Sequence, residues 1–133
     1  MKKIIKKIAI ETVQWSILSF FYDVYYNIAL EVSIYFLKKI PTVSSIFVRR
    51  SFCGPGWIAG YSDIDLAVAI KPLTPAAEVS VLTKVHSTVN ILRLIFPVVS
   101  GRVFCVNETD FDRWLLYGSI RRLEFSRWVK RYG

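Results

Sequence analysis

Cysteine and histidine are scarce: the 133 residues hold two cysteines, Cys53 and Cys105, and one histidine, His86. The cysteines lack zinc-ligand spacing, and with a single histidine no Cys/His metal site can be assembled. No signal peptide stands out, so the expected compartment is the reducing cytoplasm. Internal repeats and low-complexity tracts are absent. Long uncharged apolar runs are missing too. Glu11, Asp23 and Glu31 interrupt the greasiest region, so no stretch of about 18 uncharged apolar residues survives and a membrane-spanning helix is not expected. Acids are short against bases, ten to eighteen, for a net charge of +8.

What is present argues for a packed domain. The chain is 53% apolar and 15% aromatic, which excludes a disordered class, and its length suffices to bury a core without staples. It reads as a single domain over 1–133, with a helical N-terminal region at 1–42 and an α/β core at 43–133, and as a candidate N-terminal part of a longer protein. The charge is unevenly placed. Residues 1–50 hold eight bases and three acids, residues 113–133 hold six and one, and the middle holds four and six. Basic ends framing an acidic centre suit a polyanionic partner, such as a nucleotide, RNA or an anionic surface, and equally suit plain solubility.

Residues 3–38 read as one long helix or two. Thr12, Ser16, Ser19, Asp23, Asn27 and Glu31 recur every three or four positions as one narrow polar stripe. Nearly everything else is apolar, so the helix needs cover on more than one side: the sheet on one face, a second subunit or a further domain on another. Pro41 ends this region, and Val43 to Ser51 reads as the first strand. Gly54-Pro55-Gly56 and Gly60 punctuate the loop that follows. Thr74 is an N-cap candidate with Pro75 at the first helical position. The helix it opens runs to about Leu94, with Val79, Leu82, Val85, Val89 and Leu92 as its buried stripe and His86 at its surface. Residues 98–106 read as a third strand, Asn107 as the cap of a helix beginning Glu108-Thr-Asp110, and 119–131 as a last helix. Three strands with helices beside them make a small α/β (α+β) fold, a mixed β-sheet flanked by helices.

The chemistry concentrates at Asp63-Ile64-Asp65, which continues as Leu66-Ala-Val-Ala-Ile70. The run is apolar, partly β-branched and bounded by a Gly/Ser-rich loop and Lys71-Pro72, so it reads as a strand. Strand side chains alternate, so Asp63, Asp65, Ala67 and Ala69 share one face and Ile64, Leu66, Val68 and Ile70 the other. Two carboxylates roughly 6–7 Å apart along a strand repel unless water or a cation separates them. Hard divalent cations favour one or two carboxylates completed by waters and phosphate oxygens, which fits that face. Two solvated aspartates at a strand end are the plain alternative.

From Phe47 to Leu66 the segment resembles the signature of the nucleotidyltransferase fold shared with DNA polymerase β. In that family a strand runs into Gly-Ser, a turn follows, and a second strand carries Asp-x-Asp. Ser51 stands in the Ser position, Gly60 and Ser62 match the approach, and Asp63-Ile-Asp-Leu66 matches the acidic strand. Phe96-Pro97, Trp114-Leu-Leu-Tyr-Gly118 and Arg121-Arg-Leu-Glu-Phe125 extend the likeness over about residues 45–125. The resemblance implies that Asp63 and Asp65 hold Mg²⁺ (or Mn²⁺) against a nucleoside triphosphate, that Ser51 hydrogen-bonds a terminal phosphate, and that an acceptor attacks the α-phosphorus and expels pyrophosphate.

Two departures open a second reading. Arg50 occupies the motif glycine's place; it lacks glycine's small backbone but brings a guanidinium that can meet phosphate. Active relatives carry a third carboxylate on a neighbouring strand, where the register of Val98–Val106 puts Phe104 and no acid. The alternative is therefore a non-catalytic relative that binds nucleotide, RNA or a protein partner, in the manner of an antitoxin or assembly module. The apolar first helix adds self-association to the expected partners.

Overall fold

The computed structural model describes residues 16–49, 62–116, 125 and 127–133. Helix α1 spans Ser16–Leu37, a stretch free of glycine and proline. Its end is tightened by i→i+3 bonds from the amides of Lys39 and Ile40 to the carbonyls of Phe36 and Leu37, and Pro41 bars continuation. Strand β1 (Val43–Arg49) follows, then β2 (Asp65–Ile70), and the two pair antiparallel with Val48 opposite Leu66 and Arg49 opposite Asp65. Helix α2 (Pro75–Ile95) crosses back to β3 (Phe104–Asn107), which runs parallel to β2 with Ala67 beside Phe104. Helix α3 covers Glu108–Leu116 and β4 covers Val129–Tyr132. The sheet order is β3-β2-β1-β4, so the mixed α/β architecture expected from the sequence is present.

The strands alternate sharply. Ile46, Val48, Ile64, Leu66, Val68 and Ile70 join Tyr26, Leu30 and Leu37 of α1 and Val85 and Val89 of α2 in one aliphatic core. The other face of the sheet carries Phe47, Ala67 and Phe104 beneath Phe111, Phe125 and Trp128. Six ring pairs among Phe47, Phe104, Phe111, Phe125 and Trp128 sit in tilted or edge-on geometry, and Phe47 and Phe111 stack at 5.9 Å. Offset and edge-on contacts suit the ring quadrupoles better than face-to-face sandwiches.

Four sequence readings are corrected. The expected last helix over 119–131 ends in a strand, since Val129–Tyr132 pairs with β1. A turn from the Trp128 amide to the Phe125 carbonyl precedes it, and β-prone Val129 and Tyr132 fill an edge of β1 that would otherwise present open backbone groups. The sheet thus has four strands rather than three. The third strand is broken: Val99 makes an isolated bridge with Ile64, a bend follows at Gly101, and pairing resumes at Phe104. Val79 is exposed, because α2 turns that position outward while Val85, Val89 and Leu92 face the core. Thr74 sits at the N-cap position with extended backbone, but its hydroxyl makes no cap bond and Pro75 takes the first turn. Asn107 does cap α3, its side-chain oxygen accepting from the Asp110 amide at 2.8 Å. His86 lies on the surface of α2.

Candidate functional site

Three anchors fix the backbone that presents the carboxylates. The Tyr26 hydroxyl of α1 donates to the Ser62 carbonyl at 2.7 Å in a buried contact. The Ile64 amide donates to the Val98 carbonyl at 2.7 Å, and the Ser100 amide donates back to the Ile64 carbonyl at 2.9 Å. Asp65 then enters the ladder opposite Arg49. With Ile64 and Leu66 sunk in the helix-side core, the half-buried Asp65 falls on the opposite face of the sheet, as strand alternation requires, and the half-buried Asp63 lies just before the Ile64 bridge that leads into β2. Ala67 and Ala69 follow them on that face and are themselves buried.

Opposite the carboxylates stands a cation. The Arg49 guanidinium lies 4.6 Å from the Trp128 ring centroid and 5.3 Å from that of Phe104. An Arg stacked on partly desolvated rings gains about 1–2 kcal/mol and keeps its charge. It therefore places a fixed positive charge beside Asp65 without an ion pair to that carboxylate; among the described residues the Asp65 side chain carries no hydrogen bond or ion pair. Trp128 is 8% exposed, and its indole N–H finds no acceptor among the described residues. Arg49 read, with Arg50, as a phosphate ligand or half of a solvated pair, and Trp128 only as part of the last helix. The β-prone Val129 and Tyr132 were the one signal for a strand there.

The donor set fits a divalent cation of the Mg²⁺ kind. It offers two carboxylates two residues apart at the start of β2, of which Asp65 is uncommitted, with small alanines following. Among the described residues no group of three or more His, Cys, Asp or Glu side chains converges, so waters and a ligand's own oxygens would have to complete the shell. Arg50 and Ser51, the expected phosphate contacts, lie outside the described residues, as do Gly60 and Cys53.

Among the described residues, the acids that follow β3 lie away from Asp65. Phe104 sits beside Ala67 on the carboxylate face, where the resemblance puts a third acid. Glu108 and Asp110 open α3 just past Asn107, whose partner on β2 is Ile70; that is five residues and roughly 16 Å along the strand from Asp65. Asp110 is also committed, accepting from Asn107 Nδ2 at 2.9 Å and from Arg113 at 3.4 Å. Comparison with known proteins finds no matching family model, no matching curated protein and no matching solved structure.

Proposed function

We propose that this chain is a nucleotidyltransferase domain that takes a nucleoside triphosphate with Mg²⁺ or Mn²⁺ and passes its nucleoside monophosphate to an acceptor. The observation that supports this most is the presentation of Asp63 and Asp65 together. They sit at the entry of a central strand, Asp65 on the sheet face away from the aliphatic core and Asp63 two residues before it, with the backbone around them pinned from α1, β1 and the Val98–Ser100 segment. Asp63 and Asp65 would hold the divalent ion, which when bound supplies charge neutralisation at the phosphates. Ser51 and Arg50 are proposed as phosphate contacts on the strength of the motif. Arg49 holds a positive charge at the site's inner edge and draws the polyphosphate toward the carboxylate face. In-line positioning and electrostatics carry most of such a transfer, so little covalent chemistry is asked of the protein.

A second reading, binding without turnover, is favoured by Phe104. An acceptor hydroxyl needs a base within hydrogen-bond reach, and the sheet position beside Ala67 is filled by a phenyl ring. One pair of experiments separates the two. Calorimetric titration of the full chain with ATP and Mg²⁺ should show binding that Asp63→Asn and Asp65→Asn each weaken by at least about tenfold. Absence of metal-dependent binding by ATP, GTP, CTP and UTP alike would overturn both readings. Labelled triphosphates incubated with a mixed acceptor pool then decide between them. Transfer abolished by Asp63→Asn means an enzyme, and binding with no transfer means a binding module.

A further inference from the structure

Helix α1 has a second apolar face, set against the one it buries. Phe20, Phe21, Val24, Ile28, Tyr35 and Phe36 are 64, 61, 39, 50, 47 and 47% exposed. At about 100° of turn per residue, they form a stripe centred on Ile28, opposite the side where Tyr26, Leu30, Ser33 and Leu37 are buried. The stripe is symmetric along the helix. Phe20 and Phe36 lie equally far from Ile28, as do Phe21 and Tyr35, and as do Val24 and the half-buried Val32.

We infer that this face of α1 is a self-complementary interface, on which a second copy of the chain packs with its own α1 antiparallel and crossing at Ile28. A two-fold interface demands that each patch fit its own image, and the symmetry about Ile28 supplies that. Antiparallel pairing sets Phe20 on Phe36, Phe21 on Tyr35, Val24 on Val32 and Ile28 on Ile28. The pairing runs over about 24 Å of helix. An open, mostly apolar recess lined by Glu31, Val32, Ile34, Tyr35, Phe36 and Lys38 lies where Phe20, Phe21 and Val24 of the other copy arrive. From their exposures and the size of aromatic and aliphatic side chains, the six residues offer on the order of 600 Å². The half-buried Tyr22, Tyr25 and Val32 bring the face close to the ~800 Å² per partner of a standard interface.

The stripe's one carboxylate selects a protein partner over a lipid surface. Glu31 is exposed within the apolar face, where burial among acyl chains is costly. In the antiparallel dimer it falls opposite Tyr25, whose hydroxyl stays protonated, its pKa raised by burial, and is placed to donate to it.

Sedimentation equilibrium of the full chain across the micromolar range tests this, using wild type, Ile28→Lys, Ile28→Glu and an equimolar mixture of the two variants. Wild type should be a dimer. Each variant alone should self-associate about 100-fold more weakly or worse, because like charges meet on the two-fold axis. The mixture should recover dimers as Lys meets Glu. Unchanged circular dichroism separates this result from unfolding, which an exposed position should not cause. A monomeric wild type, a dimer that survives Ile28→Lys, or a mixture that stays monomeric would each overturn the inference. A monomer that floats with phosphatidylserine vesicles would instead assign the face to a membrane surface.

Discussion

The two faces of the sheet are built from the same strands yet obey different rules. On the helix side, Ile46, Val48, Ile64, Leu66, Val68 and Ile70 are each 2% exposed or less, and every one is aliphatic. On the other, Phe47, Arg49, Asp65, Ala67 and Phe104 alternate with them, mixing rings, both signs of charge and one very small residue. The first face holds the fold together by area, at about 25 cal/mol per Å² removed from water. The second spends its positions on charges and on packed rings beside them. Period-two alternation lets one strand do both, and substitutions one residue apart should therefore have unrelated consequences.

The largest contrast is expected between Leu66 and Asp65. Leu66→Ala leaves a cavity in the aliphatic core and should cost about 2–5 kcal/mol in urea unfolding. Asp65→Asn should shift stability by no more than about 0.5 kcal/mol, as the carboxylate has no partner to lose, while weakening metal-dependent nucleotide binding by at least about tenfold. Equal destabilisation by the two would erase the division between the faces.

Overfilling the second face tests it from the other direction. Ala67 is 1% exposed and packs with Trp128 among Phe47, Phe104 and Phe111. Ala67→Leu should cost about 1–3 kcal/mol by forcing those rings apart. It should also disturb Arg49, whose stack on Phe104 and Trp128 depends on their placement, so weakened nucleotide binding should accompany the lost stability. A smaller effect is expected at the joint between the faces. Tyr26→Phe removes the donor to the buried Ser62 carbonyl and should cost about 1–2 kcal/mol. Hydrogen exchange should then quicken at Asp63 and Ile64.

The helix-side face was legible before any coordinates, because its signal is local. Ile64, Leu66, Val68 and Ile70 alternate within seven positions, and the two aspartates inherit the opposite face by parity alone. The same locality made Pro41, Pro75 and Asn107 readable as element boundaries. The second face was legible only in part, since its members come from distant stretches. Nothing near Arg49 announces that its guanidinium meets Trp128, because that contact exists only once β4 pairs with β1. β4 itself was misread as helix, for its four residues carry little periodicity and their conformation is set by the open edge they fill. Val79 failed for a milder reason: five apolar positions fitted a helical stripe, and the sheet covers only the C-terminal three fully.

The smallest effect separates a group lodged between core and site from the exposed chemistry around it. Cys105 on β3 packs partly against the aliphatic core. Burial first, and then the nearby Glu78 charge, push its thiol from 9.0 up to about 12, against a weak opposing hydrogen bond from the Val106 amide. The folded state therefore keeps this proton where an unfolded chain releases it. The stabilisation is fully present below about pH 9 and is lost as pH climbs toward about 12, so at neutral pH it contributes no slope. In a Cys53→Ser background, Cys105 should resist iodoacetamide at pH 8 in the folded protein and react readily in urea, since only the thiolate is nucleophilic. Cys105→Ala in the same background should flatten the fall in stability between about pH 9 and 11 while leaving nucleotide binding unchanged. Rapid alkylation of the folded protein at pH 8 would place this thiol with the exposed chemistry of the second face instead.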